Sequence, residues 1–98
     1  MSTITDDAIF SEHLAGILKA LAHPARLRIV AALGEGRVSV GDLARRLDLA
    51  QAIVSQQLRI LRMEGLVESE RSGGYALYAL AEPRLKALLK CLEKCPRD

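Results

Sequence analysis

Apolar residues recur along the chain with two different periods, and the change of period divides it into elements. Phe10, Leu14, Ile17, Leu18 and Leu21 are spaced three and four apart. That is the repeat of one helix face, and it predicts a first helix over about 7–22. Pro24 punctuates the chain and suits the first turn of a second helix. Leu27, Ile29, Val30 and Leu33 are the apolar positions of that helix, and Gly34 and Gly36 stop it. Ser39 opens a third helix, with Asp42 three residues on as a short-armed capping box. Leu43, Ala44 and Leu47 form its inward side. A turn at Asp48 and Leu49 leads to a fourth helix over about 50–64, inward at Val54, Leu58 and Leu61 and closed by Gly65. Two short strands follow, 66–71 and 75–80, with Ser72, Gly73 and Gly74 as a turn of hairpin composition. Ala76, Tyr78 and Leu80 share one strand face directed at the helices. A fifth helix over about 82–95 has Pro83 in its first turn and ends at Pro96.

This order predicts a mainly α fold with a small β-hairpin, of the α+β class. It is a winged helix-turn-helix with five helices and a two-stranded wing. Its 98 residues fit one domain, 1–98. Half of the residues are hydrophobic, yet only Phe10, Tyr75 and Tyr78 are aromatic, so the core is aliphatic. A domain of this size is only marginally stable alone, and a second copy would bury more apolar surface. The net charge of +2 permits nucleic-acid binding without arguing for it. Placement matters more: acids at Asp6 and Asp7 precede the first helix, and arginines recur from Arg26 to Arg62. No export signal, no charge-free span of membrane length and only two cysteines together predict a cytoplasmic protein with no membrane partner.

The helix-turn-helix spans about 40–64, with Ala44 as the small residue where the two helices cross. If Leu47, Leu49, Val54 and Leu58 face inward, then Gln51, Ala52, Ser55, Gln56 and Arg59 face outward and Gln57 lies at the flank. That face contains no acid. Gln can pair with adenine, Ser with either base type, and Arg with guanine or phosphate. A solvated polar face is the alternative. The hairpin just downstream favours DNA, because Arg71, Ser72 and Gly73 form a wing able to reach a minor groove or the phosphate backbone.

Several strings resemble the ArsR/SmtB repressors. Residues 18–30, LKALAHPARLRIV, resemble their second helix, and 38–44, VSVGDLA, their third. VSQQLRILR from Val54, followed by Gly65-Leu66-Val67, resembles their recognition helix and its exit. Residues 75–80, YALYAL, resemble the second wing strand. The resemblance covers about 14–92. It implies a transcriptional repressor that binds an inverted-repeat operator in double-stranded DNA as a homodimer through the first and last helices. It implies release by an inducer, and Ser55 and Gln56 as base readers. Two positions depart from the family pattern. Ala50 stands where members often carry a capping Ser or Thr, a loss of about 1 kcal/mol. Ala52 stands where a polar residue is common, although its methyl suits a thymine. His23 belongs to the His-Pro motif and reads as structural, whereas His13 reads as a surface or interface residue.

Cys91 and Cys95 are four apart, which on a helix places them on one face with Leu88, extended by Arg84. Three readings stay open: small hydrophobes at an interface, a metal-type site for arsenite or another soft ion, or a redox or persulfide switch. In an intact helix the Cβ spacing of about 5–6 Å exceeds what a disulfide takes, so a bridging atom fits better than a direct bond. The sensor patterns known in the family are incomplete here. The third helix lacks a cysteine pair, the second helix has no cysteine, and of the acid and histidine ligands only Glu82 is matched. No cofactor is required. An enzyme is disfavoured, since neither cysteine has a histidine near it in sequence and there is no phosphate-binding glycine loop. A winged-helix protein-interaction module is the rival from another class.

Overall fold

The structure, a computed structural model, describes residues 3–97. Met1, Ser2 and Asp98, which the 1–98 expectation also takes in, lie outside the described residues. The elements run in the order α1 (Ala8–Leu21), α2 (Pro24–Leu33), β1 (Val38–Ser39), α3 (Val40–Leu47), α4 (Gln51–Met63), β2 (Val67–Ser72), β3 (Tyr75–Leu80) and α5 (Pro83–Glu93). This is a winged helix-turn-helix. The sheet holds one strand more than the periodicity predicts: β1 pairs antiparallel with β3, giving the order β1-β3-β2. Two residues are too few to express a period of two, so β1 leaves no pattern in the sequence.

Side chains start most of the helices. Asp7 accepts from the Phe10 amide at α1, His23 from Ala25 at α2, Ser39 from Asp42 at α3 and Glu82 from Arg84 at α5. Each satisfies an amide that the helix leaves without a partner. The turn between α3 and α4 is made by Asp48, left-handed at φ 54°, with the Leu49 amide returning to the Ala44 carbonyl at 3.0 Å.

Ile29, Val30, Leu43, Val54, Leu58 and Leu61 are fully buried where α2, α3 and α4 meet, and Leu85 adds α5 to the same cluster. Tyr78 and Leu80 of β3 pack against it from the sheet side. The first-helix stripe is only half used. Ile17 and Leu21 are buried, Phe10 and Leu14 are half-buried and Leu18 is 52% exposed, while Ile9, outside that stripe, is 81% exposed. On α5, Leu85 and Leu89 are buried and Leu92 is exposed. Arg84 of α5 stands over the Phe10 ring of α1, so the two outer helices are neighbours. No helix among the described residues is long and apolar enough to cross a membrane.

Candidate nucleic-acid interface

Val54, Leu58 and Leu61 anchor α4 by one face, and this turns Gln51, Ala52, Ser55, Gln56 and Arg59 to the exterior, all exposed. Ile53 shares that exposure at 42% and was not foreseen as part of the surface. Alone among the helices, α4 has no side-chain cap: Ala50 offers only its carbonyl, to the Ile53 and Val54 amides. Its first amides therefore have no side-chain acceptor at the positive end of the helix dipole, an arrangement suited to an anionic partner.

Gln57, expected among the DNA-contacting residues at the flank of this face, is turned inward instead. It is 8% exposed, and its amide oxygen accepts from Arg26 Nη1 at 3.0 Å. A side chain held this way does not belong to the outward face. The signal was present in the spacing, since Val54, Gln57, Leu58 and Leu61 follow the repeat of the buried stripe.

The wing stands beside the start of α4. A cleft of about 530 Å³ is lined by Asp42 and Arg45 of α3, Gln51 of α4, and Gly74 and Tyr75 of the hairpin. Ser72 pairs with Tyr75, so the turn is two residues long rather than three. Gly73 and Gly74 take φ of +56° and +85°, the left-handed pair that a tight hairpin demands and that glycine supplies without strain. Ser72 thus ends a strand, and Arg71 is exposed with Nη1 donating across the turn to the Gly74 carbonyl at 3.5 Å. Tyr75, 67% exposed beside the tip of the wing, was also not foreseen.

The arginines that recur along the sequence divide into two kinds. Arg28 donates to the Leu47 carbonyl at 2.8 Å, and Arg26 to the Ala20 carbonyl at 2.6 Å. Arg37 pairs with Glu70, Arg45 with Asp42 and Arg46 with Glu35. Among the described residues, Arg59 and Arg62 have no such partner, so on α4 the positive charge stays available. His23 Nδ1 caps α2, a structural role, and His13 is exposed.

The cysteines depart from expectation. α5 ends at Glu93 with Lys94 as its cap, so Cys91 is helical and Cys95 lies beyond the helix. Pro96 explains this, because the residue before a proline is pushed out of the helical region. The two thiols do not share a helix face. Both are exposed, and Cys95 Sγ turns back to donate to the Cys91 carbonyl at 3.6 Å. Among the described residues no three His, Cys, Asp or Glu side chains come together as a metal site. Glu82 caps α5.

Comparison with known proteins agrees with this geometry. The family model described as "Bacterial regulatory protein, arsR family" matches residues 23–69, from the cap of α2 into β2. The biofilm growth-associated repressor of Agrobacterium fabrum is 43% identical over 76 residues, which are 78% of this chain and 65% of that protein. The chain therefore spans just under two thirds of that relative's length. The crystal structure of the transcriptional repressor BigR from Xylella fastidiosa superposes with a TM-score of 0.87 at 36% identity, over 98% of this chain and 100% of that one. A homodimeric winged helix-turn-helix DNA-binding domain from Mycobacterium bovis aligns with a TM-score of 0.75 at 28% identity, over 95% of this chain and 84% of that one. These relatives are regulators and not enzymes. The chain belongs to the arsR family of bacterial regulatory proteins.

Proposed function

We propose that this protein is a DNA-binding transcriptional repressor that acts as a cytoplasmic homodimer on an inverted-repeat operator and is released by an inducer. The observation that carries the reading is the exterior of α4. Gln51, Ser55, Gln56 and Arg59 are exposed on a helix without a single acid, with the wing alongside. Ser55 and Gln56 are the base readers in this account, Ala52 offers a methyl to thymine, and Arg59, Arg71, Ser72 and Gly73 approach the backbone. Residues 1–98 act as one DNA-binding and dimerisation domain.

The homodimer is supported by the apolar surface that a single copy leaves on its outer helices, at Ile9, Leu18 and Leu92. A two-fold dimer presents two copies of α4, and two reading helices call for two half-sites about one DNA turn apart. The inducer site is the exposed thiol pair Cys91 and Cys95, suited to arsenite, another soft ion or a reactive sulfur species. With Cys95 outside the helix, the fixed i, i+4 spacing no longer stands against a direct sulfur–sulfur bond.

A fluorescence titration of duplex DNA from the gene's own upstream region, with unrelated duplex as competitor, tests the reading. Saturable binding that survives competitor and is lost on adding arsenite or persulfide to wild type, but retained in Cys91→Ser/Cys95→Ser, is expected. Equal affinity for both duplexes would contradict the repressor and favour a protein-interaction module. Release of the double variant at wild-type inducer concentrations would remove the thiol site.

A further inference from the structure

Two polar side chains lie on the apolar stripes of two different helices. Arg26 precedes Ile29, Val30 and Leu33 by three, four and seven positions, so it shares the inward face of α2. Gln57 follows Val54 by three and precedes Leu61 by four on α4. Burying either alone would leave hydrogen-bonding groups unsatisfied. They meet each other instead. Arg26 Nη1 donates to Gln57 Oε1 at 3.0 Å, and Arg26 Nε donates to the Ala20 carbonyl at 2.6 Å.

The Ala20 carbonyl is a specific target. In a continued helix it would accept from the amide of residue 24, where Pro24 has none. It lies one residue before the end of α1, at the negative end of that helix's dipole, where a cation is favoured. One planar guanidinium therefore joins the last turn of α1, the first turn of α2 and the middle of α4. Its donors are fixed relative to each other, so it transmits orientation as well as attraction.

We propose that Arg26 is a positioning residue for DNA reading, setting the orientation of α4 against the C-terminal end of α1 through Gln57. This rests on the reading of α4 as the DNA-contacting helix. Arg28 does a parallel job one element over, holding the Leu47 carbonyl at the end of α3. Arg26 is the only one of the two that reaches α4 itself. A shift of α1, the outer helix with the exposed apolar face, is thereby carried to Ser55 and Gln56 without contact between α1 and DNA.

The test uses the full chain with Gln57→Leu, which removes the acceptor but keeps the Ala20 bond, and Gln57→Glu, which keeps an acceptor. Two readouts are taken: affinity for upstream-region duplex against unrelated duplex, and amide hydrogen exchange without DNA. Gln57→Leu is expected to lose about tenfold in affinity for the upstream duplex, the size of one hydrogen bond to a charged group. Its affinity for unrelated duplex should stay within about twofold, since phosphate contacts carry that term. Exchange should accelerate over 51–63 and at 18–22 but not in the middle of α2, and Gln57→Glu should restore both readouts. Wild-type behaviour of Gln57→Leu, or exchange raised evenly over the whole chain, would overturn the proposal. If wild type itself fails to discriminate the duplexes, the repressor reading falls and the exchange pattern alone decides the role of Arg26.

Discussion

Arg59 and Arg46 carry the same charge on neighbouring helices but stand in different circumstances. Arg46 is held by Glu35, which ties the segment after α2 to α3, whereas Arg59 projects from α4 with no acid beside it. The Arg46 guanidinium, by hydrogen bond and then by charge, holds the Glu35 carboxyl below the usual carboxylate range. A carboxyl whose folded pKa lies below its unfolded value stabilises above the unfolded value, and that contribution is lost as pH falls through the folded one. Both side chains are exposed, so the effect is small and screened by salt. The stability difference between wild type and Glu35→Gln is thus expected at neutral pH and should vanish in acid, as followed by thermal unfolding across pH. A difference that widens in acid would contradict the pairing. At this scale the outward residues of α4 were legible, because Val54, Leu58 and Leu61 fix the helix phase. Gln57, expected at the flank of the reading face, is buried, as its spacing from Val54 and Leu61 dictates. The Arg26 pairing depends on two helices meeting, which no single helix period encodes.

The elements differ most in how they begin. Asp7, His23, Ser39 and Glu82 each cap a helix, and Ala50 does not. Placing a hydroxyl there should raise stability: Ala50→Ser is expected to add about 1 kcal/mol in denaturant unfolding. Amides of residues 51 and 52 should exchange faster than those in the middle of α4 in the wild type and slow in the variant. Unchanged stability together with slow exchange in wild type would mean that the first turn finds its partners elsewhere. The missing cap, the turn at Asp48 and the glycine pair in the hairpin were all readable, since each has a local chemical cause. β1 was not readable, because its two residues gain strand character only by lying beside Tyr78 and Leu77 of β3. The end of α5 was readable in principle from Pro96, but the helical repeat was carried two residues too far.

The whole molecule leaves Ile9, Leu18 and Leu92 exposed on its two outer helices, while the cluster joining α2, α3, α4 and α5 is closed. The first-helix stripe predicted this only in part. Periodicity marks which residues avoid water, not whether this copy or a second one covers them. Replacing Leu18 by Glu places a charge on that surface and should shift the proposed dimer to monomer in analytical ultracentrifugation, with a far-UV circular dichroism spectrum like that of wild type. A dimer that persists in Leu18→Glu would move the interface elsewhere. The most direct test of the central claim, that the exterior of α4 reads DNA bases, is the affinity of Gln56→Ala for the upstream-region duplex at fixed salt. A loss of about tenfold or more for that duplex, with binding to unrelated duplex unchanged, is predicted from the value of one base contact. Affinity equal to that of wild type would contradict it.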